Sequence, residues 1–204
     1  MTPEATANRT GPASPGPTEA FLRDRSRVRV RPVVPSDRPA VVDFLCHLSR
    51  ESLELRFFSA VTAEVVAAEI LNGKGWPERL SLVLETIGEP VPRIVGHGEF
   101  VRSSRDPSHA EVAFLVADDH QGRGAGTLLL RQLARHARRA GVRTFDAVVM
   151  TENGAMLDMF TGAGFPSTTA WSGEEATVEL DISHEVSTAL VPVERPAATA
   201  LAVE

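Results

Sequence analysis

The amino-acid sequence predicts one α/β domain with a mixed central sheet flanked by helices. Helical spacing of apolar residues alternates with strand-like patterns along the chain, which is typical of the α/β class. The helices come first, an antiparallel meander follows, and a strand–helix–strand unit comes last. A length of 204 residues, with 43% hydrophobic and 24% charged residues, suits a single globular domain.

The first half of the chain contains three predicted helices and three predicted strands. Residues 1–24 are rich in Pro, Gly, Ser and Thr, and such a segment buries too little apolar surface to fold, so we expect a disordered tail. Residues 27–34 alternate Arg with Val, which predicts an edge strand. Ser36 and Asp37 offer N-caps to a helix that reaches about Ser49. Further helices are expected over 50–59 and 63–71, and strands over 80–87 and 93–102 with a turn at Gly88.

The second half is centred on a strand over residues 110–117 (AEVAFLVA), whose apolar character is expected in the middle of a sheet. A glycine-rich turn at residues 121–126 opens a helix to about residue 140. We expect a strand over 142–150, a short helix capped by Asn153 and ending near 161, and strands over 168–171 and 176–182. Residues 183–204 lack clear periodicity, which predicts a loose second tail and a folded domain over 25–182.

Composition argues against several classes of function. The formal net charge of −6 disfavours nucleic-acid binding, whose footprint would be basic. No apolar stretch is long enough for a membrane span. A single cysteine, Cys46, and a start without a signal-peptide pattern favour a cytoplasmic protein. His97, His109 and His120 show no metal-ligand pairing, so we expect no metal and surface or turn positions for all three.

The strongest motif is the glycine-rich segment Gln121-Gly122-Arg123-Gly124-Ala125-Gly126-Thr127, which follows a buried strand and opens an amphipathic helix. Alternate glycines allow a tight turn, and the helix N-terminus favours an anion, most naturally a phosphate, with Arg123 adding a bidentate contact. A P-loop is disfavoured because no lysine follows these glycines. A dinucleotide fold is disfavoured because the spacing is G-x-G-x-G and the acidic Asp146 lies near the start of its strand. A tight turn without a ligand remains the alternative.

These residues resemble the Gcn5-related N-acetyltransferase (GNAT) superfamily. The likeness covers about residues 27–182 and is most specific over 110–165, where Q-G-x-G-x-G is followed by a strand, by Glu152-Asn153 and by a short helix ending at Gly164-Phe165. The resemblance implies a sheet splayed at its central strands and acetyl-coenzyme A as cosubstrate. It implies that backbone amides of residues 122–127 bind the diphosphate of this cosubstrate. It also implies that the strand at Phe114, Leu115 and Val116 pairs with the pantetheine arm, and that Asn153 forms a hydrogen bond with the cofactor. An ordinary N-cap is the alternative for Asn153.

A second segment, LSRESLELRFFS at residues 48–59, is similar to one bacterial branch of that superfamily. The branch comprises protein lysine acetyltransferases that are often fused to acyl-CoA synthetase-like or cyclic-nucleotide-binding modules. Neither module fits in this chain beside the domain, so nucleotide control is not implied. Arg56, Phe57 and Phe58 could shape an acceptor cleft, or the two aromatics could belong to the core.

Glu111 is the predicted catalytic residue because an amine must lose a proton before it can attack a thioester. It stands in an apolar strand, where burial would raise the pKa of its carboxyl, and in the resembled branch the catalytic glutamate occupies a matching position. A solvated or ion-paired Glu111 at the strand start is the alternative, and Glu99 is the second candidate base. The chain contains no tyrosine, so a thiolate leaving group would take its proton from solvent.

The sequence therefore predicts a cytoplasmic, acetyl-CoA-dependent N-acetyltransferase that works by direct attack on the thioester. The favoured acceptor is a protein lysine, with an acyl-CoA synthetase as one candidate partner through the resemblance. A small-molecule amine acetyltransferase and a non-catalytic acyl-CoA-binding regulator are the alternatives. The sequence leaves the oligomeric state open.

Overall fold

The computed structural model describes residues 15–58, 61–72 and 75–186. Of the tails expected over 1–24 and 183–204, residues 1–14 and 187–204 lie outside the described residues. Within the described part, eight strands form one sheet in the order β1-β2-β3-β4-β5-β6-β8-β7. The strands are β1 (Thr18–Phe21), β2 (Arg27–Pro32), β3 (Arg79–Thr86), β4 (Ile94–Arg102), β5 (His109–Val116), β6 (Thr144–Met150), β7 (Ser167–Ser172) and β8 (Glu175–Asp181).

Among the described residues, five α-helices cover the two faces of the sheet, and they confirm the predicted α/β class. They are α1 (Arg38–Cys46), α2 (Arg50–Phe57), α3 (Ala63–Leu71), α4 (Ala125–Arg139) and α5 (Gly154–Gly162). The larger core lies between the sheet and α4, where Leu129, Leu130 and Leu133 are fully buried. A smaller core lies between the other face and helices α1 and α3. Among the described helices, none combines the length and apolarity required to cross a bilayer.

The central strands splay, as the resemblance implied. All strand pairs are antiparallel except β5 and β6, which run parallel. Their pairing includes only three positions and ends at Glu111 opposite Asp146, although each strand continues beyond that point. Residues 112–116 therefore pair with β4 on one side and leave their other backbone edge open toward β6.

The N-terminal boundary predicted from composition is wrong for residues 18–21. These residues form β1 and pair antiparallel with β2, so β2 is an inner strand rather than the expected edge strand. Glu19 accepts hydrogen bonds from Arg27 and Arg29 across the hairpin, and Leu22 is buried in the larger core. Two of the alternating arginines of β2, Arg27 and Arg29, thus have an acidic partner on β1, which composition alone does not reveal.

Candidate active site

A cavity of about 860 Å³ opens where β5 and β6 diverge. Its lining includes the open edge of β5, the glycine loop, the start of α5 and one side of α2. It brings together most of the residues predicted from the sequence: Glu111, Phe114, Leu115, Val116, Gln121, Gly122, Gly124, Ala125, Gly126, Thr127 and Asn153. A cavity of this size and position can hold an extended ligand that enters the gap between the two strands.

Backbone conformation requires glycine at two positions of the loop. Gly122 and Gly124 have φ angles of +71° and +89°, a region in which a side chain costs roughly 1–2 kcal/mol per residue. Gly124 is also the N-cap of α4, and no side chain caps that helix end. The unsatisfied amide groups of the first turn of α4 therefore border the cavity and favour an anion.

The side chain of Arg123 lies elsewhere than the sequence suggested. Its Nη1 donates to Asp24 Oδ2 at 2.8 Å, and Arg123 is absent from the lining of the main cavity. Two hydrogen bonds from Ser26, donated by its hydroxyl and by its backbone N–H, are the main cause that lowers the pKa of Asp24 to about 2. The hydrogen bond and charge of Arg123 act in the same direction. The guanidinium of Arg123 thus connects the glycine loop to the β1–β2 turn, and we do not assign it a phosphate contact.

Helix α2 is fixed to the glycine loop by Asp118, a residue that sequence reasoning missed. Asp118 accepts hydrogen bonds from the backbone N–H of Ser49 at 2.7 Å, from Ser52 Oγ at 2.6 Å and from Gln121 Nε2 at 3.0 Å. Gln121 Nε2 also donates to the carbonyl oxygen of Val116. The two serines of the LSRES segment therefore position α2 over the cavity. The signal in the sequence was the spacing of Ser49 and Ser52, three residues apart. Their shared partner, Asp118, lies 66 to 69 residues away along the chain, so the spacing does not identify it.

Glu111 lies on the cavity, but the expected burial of its carboxylate is wrong. Side chains alternate along β5, so Ala110 and Val112 are buried against α4 while Glu111 is exposed on the opposite face. Arg56 of α2, which also lines the cavity, interacts electrostatically with Glu111 and Glu99. Glu111 is thus a solvent-accessible carboxylate at the point where β5 and β6 separate.

The carboxylate of Glu99, the second candidate base, forms ion pairs with Arg56 and Arg79. Its Oε2 accepts a hydrogen bond from Arg79 Nε at 2.9 Å, and Arg56 Nη2 lies 3.6 Å from Oε1. Burial alone would raise the pKa of Glu99, but His97, Arg79 and Arg56 together hold it below its usual range. A carboxylate with a lowered pKa is a weak base. Glu99 therefore serves better as the anchor for Arg56 than as a proton acceptor.

Surface or turn positions were expected for all three histidines; His120 lies at the end of the 3₁₀ turn Asp118–His120, whereas His97 lies within β4 and contradicts the expectation. His97 is buried, and its Nε2 lies 2.8 Å from Ser81 Oγ. His120 is buried beside Asp119, and only His109, which contacts Asp146, is partly exposed. In the described ranges there is no group of three or more His, Cys, Asp or Glu residues that could hold a metal ion.

Asn153 has the N-cap role that was its alternative assignment, and it also lines the cavity. Its Oδ1 accepts the backbone N–H of Met156 at 3.1 Å. Its Nδ2 donates to no protein atom in the described part of the chain, so this group is free to bond a ligand. Capping therefore fixes the orientation of the side-chain amide beside the cavity.

The family model for the acetyltransferase (GNAT) family matches residues 48–165, more than half of the chain. The chain belongs to the GNAT family. The matched range extends from the segment before α2 to Phe165, and it includes β5, the glycine loop and α5. The predicted superfamily and fold are thereby confirmed.

Two relatives place this GNAT chain near the bacterial branch suggested by residues 48–59. Acetyltransferase Pat of Mycolicibacterium smegmatis is 34% identical over 135 residues, which are 66% of this chain and 40% of that protein. The GNAT domain of S. lividans PAT superposes with a TM-score of 0.72 at 30% identity, covering 81% of this chain and 96% of that domain.

A third relative is longer than this GNAT chain. A cAMP-binding acyltransferase from Mycobacterium smegmatis superposes with a TM-score of 0.56 at 25% identity, covering 81% of this chain and 47% of that protein. The chain thus spans less than half the length of each of the two mycobacterial relatives.

Removing the carboxylate of Asp118, which fixes α2 to the glycine loop, should destabilise this GNAT domain. We expect Asp118→Ala to lower the free energy of unfolding by about 1 kcal/mol, because four hydrogen bonds to an exposed carboxylate are lost. Urea denaturation measures the change. Asp43→Ala, which alters an exposed carboxylate on α1, is the control. An equal effect of both variants would contradict the anchoring role of Asp118.

Buried His97 should make the stability of the fold depend on pH. Burial is the largest of the effects that lower the pKa of His97 to about 4. The charges of Arg56 and Arg79 also lower it, whereas the charge of Glu99 raises it. In the unfolded chain this group binds its proton near pH 6.5. Lowering the pH through this window therefore favours the unfolded state, by about 2 kcal/mol between pH 7 and pH 5.

Denaturation of a histidine variant at both pH values tests this assignment. His97→Gln should retain more of its pH 7 stability at pH 5 than the unaltered chain does, because one group that titrates on unfolding is gone. His47→Gln, which removes an exposed histidine, is the control, and it should change the pH dependence less than His97→Gln does. An unaltered pH dependence in His97→Gln would contradict the buried, neutral state of His97.

Proposed function

We propose that this GNAT domain transfers the acetyl group of acetyl-coenzyme A to the ε-amine of a protein lysine, with Glu111 as the general base. One observation carries the proposal: a single cavity connects the glycine loop, the open edge of β5 and Glu111. These features suit, in turn, a diphosphate, an extended arm and a reacting amine. Glu111 lies five residues before Val116, roughly 17 Å along the strand, which leaves room for an extended arm between them.

The cofactor half of the cavity is suited to an anion followed by an amide-bearing chain. The first turn of α4 offers unsatisfied N–H groups and the positive end of the helix dipole. The backbone of residues 112–116 has no strand partner on its β6 side, so an extended arm can pair with it as an added strand. Asn153 Nδ2 is a further donor beside this path.

The chemistry requires an unprotonated amine at the thioester carbonyl. The nitrogen forms a bond to the acetyl carbon, the carbon–sulfur bond breaks, and coenzyme A leaves as the thiolate. The proton lost by the amine passes to the Glu111 carboxylate, directly or through a water molecule. The thiolate takes a proton from solvent, because the chain contains no tyrosine to supply one.

The protein lysine acceptor is supported by residues 48–59 and by the likeness to the GNAT domain of S. lividans PAT. This segment forms one side of the cavity through Ser49, Ser52, Arg56 and Phe58. Phe58 is 44% exposed, as suits a contact with a protein partner. An acyl-CoA synthetase is the candidate acceptor that follows from the resemblance.

An acetylation assay with matched acceptors tests this function. The chain is incubated with acetyl-coenzyme A and with an acyl-CoA synthetase, a lysine peptide or a free primary amine, and thiol release is followed together with the mass of the acceptor. We expect acetylation of a lysine of the protein to be the fastest reaction. Faster turnover of the free amine would favour a small-molecule acetyltransferase. Binding of acetyl-coenzyme A without thiol release above the Glu111→Gln background would favour a regulator.

A further inference from the structure

We infer that Arg23, in the turn between β1 and β2, binds a phosphate group of coenzyme A. The inference rests on the proposed function and adds to it a residue from a segment that composition assigned to a disordered tail. Arg23 lies outside residues 48–165, the range that matches the family model. It lines the main cavity together with Gly122 and Gly124.

The side chain of Arg23 lies directly against the glycine loop. A Cβ atom placed on Gly124 would be 3.4 Å from both Cγ and Nε of Arg23. The guanidinium therefore lies beside the N-cap of α4, where the unsatisfied amides of the helix face an incoming anion. A phosphate at this point would meet backbone donors from one side and a planar array of N–H donors from the other.

The β1–β2 turn is held in place, so the position of Arg23 is fixed by the fold. Leu22 is anchored in the core, and the backbone N–H of Arg23 donates to the carbonyl oxygen of Arg123 at 2.9 Å. The ion pair between Asp24 and Arg123 forms a second connection between the turn and the loop. Two hydrogen bonds between backbone atoms of Leu22, Arg25 and Ser26 close the turn. A side chain presented by a fixed turn loses less entropy when it binds a ligand.

The charges around the loop distinguish Arg23 from its neighbours. Arg27 and Arg29 pair with Glu19, and Arg123 pairs with Asp24. Arg23 has no carboxylate within ion-pair distance anywhere in the described ranges. Arg23 is exposed and lines the cavity. Arg123, the arginine of the glycine motif, is thus ion-paired with Asp24. Arg23, in the turn, lines the cavity without such a partner among the described residues.

Calorimetric titration of the full chain tests the role of Arg23. The ligands are coenzyme A and 3′-dephospho-coenzyme A, and the variants are Arg23→Ala, Arg23→Lys and the control Arg25→Ala. Arg25 is exposed in the same turn and does not line the cavity. We expect Arg23→Ala to weaken the binding of coenzyme A about tenfold or more, as for loss of a charge-assisted hydrogen bond. Arg23→Lys should recover part of that affinity, and Arg25→Ala should bind normally.

The two ligands identify which phosphate is bound. Equal weakening for both ligands would assign Arg23 to the diphosphate, and weakening for coenzyme A alone would assign it to the 3′-phosphate. Either result supports the inference. Unchanged affinity in Arg23→Ala, or an equal loss in Arg25→Ala, would overturn it while leaving the proposed function intact. Absence of binding by the unaltered chain would overturn the proposed function itself.

Discussion

Replacing Glu111 with Gln should lower kcat about 10²- to 10⁴-fold, because the amine then has no carboxylate to accept its proton. Glutamine keeps the size of the side chain and its exposed position on β5. The affinity for acetyl-coenzyme A should therefore remain within about twofold, since the base acts on the acceptor rather than on the cofactor. Steady-state kinetics and a separate calorimetric titration measure the two quantities.

A matched carboxylate on another strand serves as the control for Glu111. Glu175 is exposed on β8 and lies outside the cavity lining. Glu175→Gln should retain the kcat of the unaltered chain. If Glu111→Gln also retained its kcat, Glu111 would not be the base. A loss of acetyl-coenzyme A affinity in parallel with kcat would instead indicate a binding role for Glu111.

Replacing Gly124 with Val should cause the second large effect, an acetyl-coenzyme A affinity at least about tenfold lower. The φ angle of +89° at Gly124 is unfavourable for a β-branched residue, and the added side chain would crowd Arg23. A change of backbone conformation at Gly124 would shift the amides of the first turn of α4, which border the cavity. The strain should also lower the free energy of unfolding by roughly 1–2 kcal/mol.

Titration and urea denaturation of Gly124→Val measure these two losses. Gly75→Ala is the control, because a Cβ at Gly75 meets no atom within 4 Å and Gly75 is not part of the cavity lining. The control should keep both its stability and its affinity. Normal binding of acetyl-coenzyme A by Gly124→Val would mean that the conformation of the loop is not what holds the ligand.

The elements that sequence reasoning placed well are those set by local signals. The helix predicted over 63–71 has its predicted bounds, because Thr62 accepts the N–H of Val65 as an N-cap. Asn153 caps α5 in the same way. The glycine loop was recognisable because adjacent residues supply both its turn and its helix N-terminus.

The features that sequence reasoning missed depend on partners distant along the chain. Strand β1 pairs with β2 in an antiparallel hairpin in which Glu19 lies opposite Arg29, although its neighbourhood is rich in proline and glycine. Asp118 gains its role only when α2 reaches it. Glu111 is exposed because its side chain lies on the face of β5 opposite the buried Ala110 and Val112, a face that α4 does not cover. Arg79, which donates a hydrogen bond to Glu99, comes from the neighbouring strand β3.

A crystal structure of the chain with bound coenzyme A would test the cavity assignment most directly. We expect the diphosphate at the backbone amides of residues 122–127 and the pantetheine arm along the open edge of β5. The thiol should then lie in the gap between β5 and β6, on the side of Glu111. Coenzyme A bound at another surface, with this gap empty, would contradict both the cofactor site and the role of Glu111.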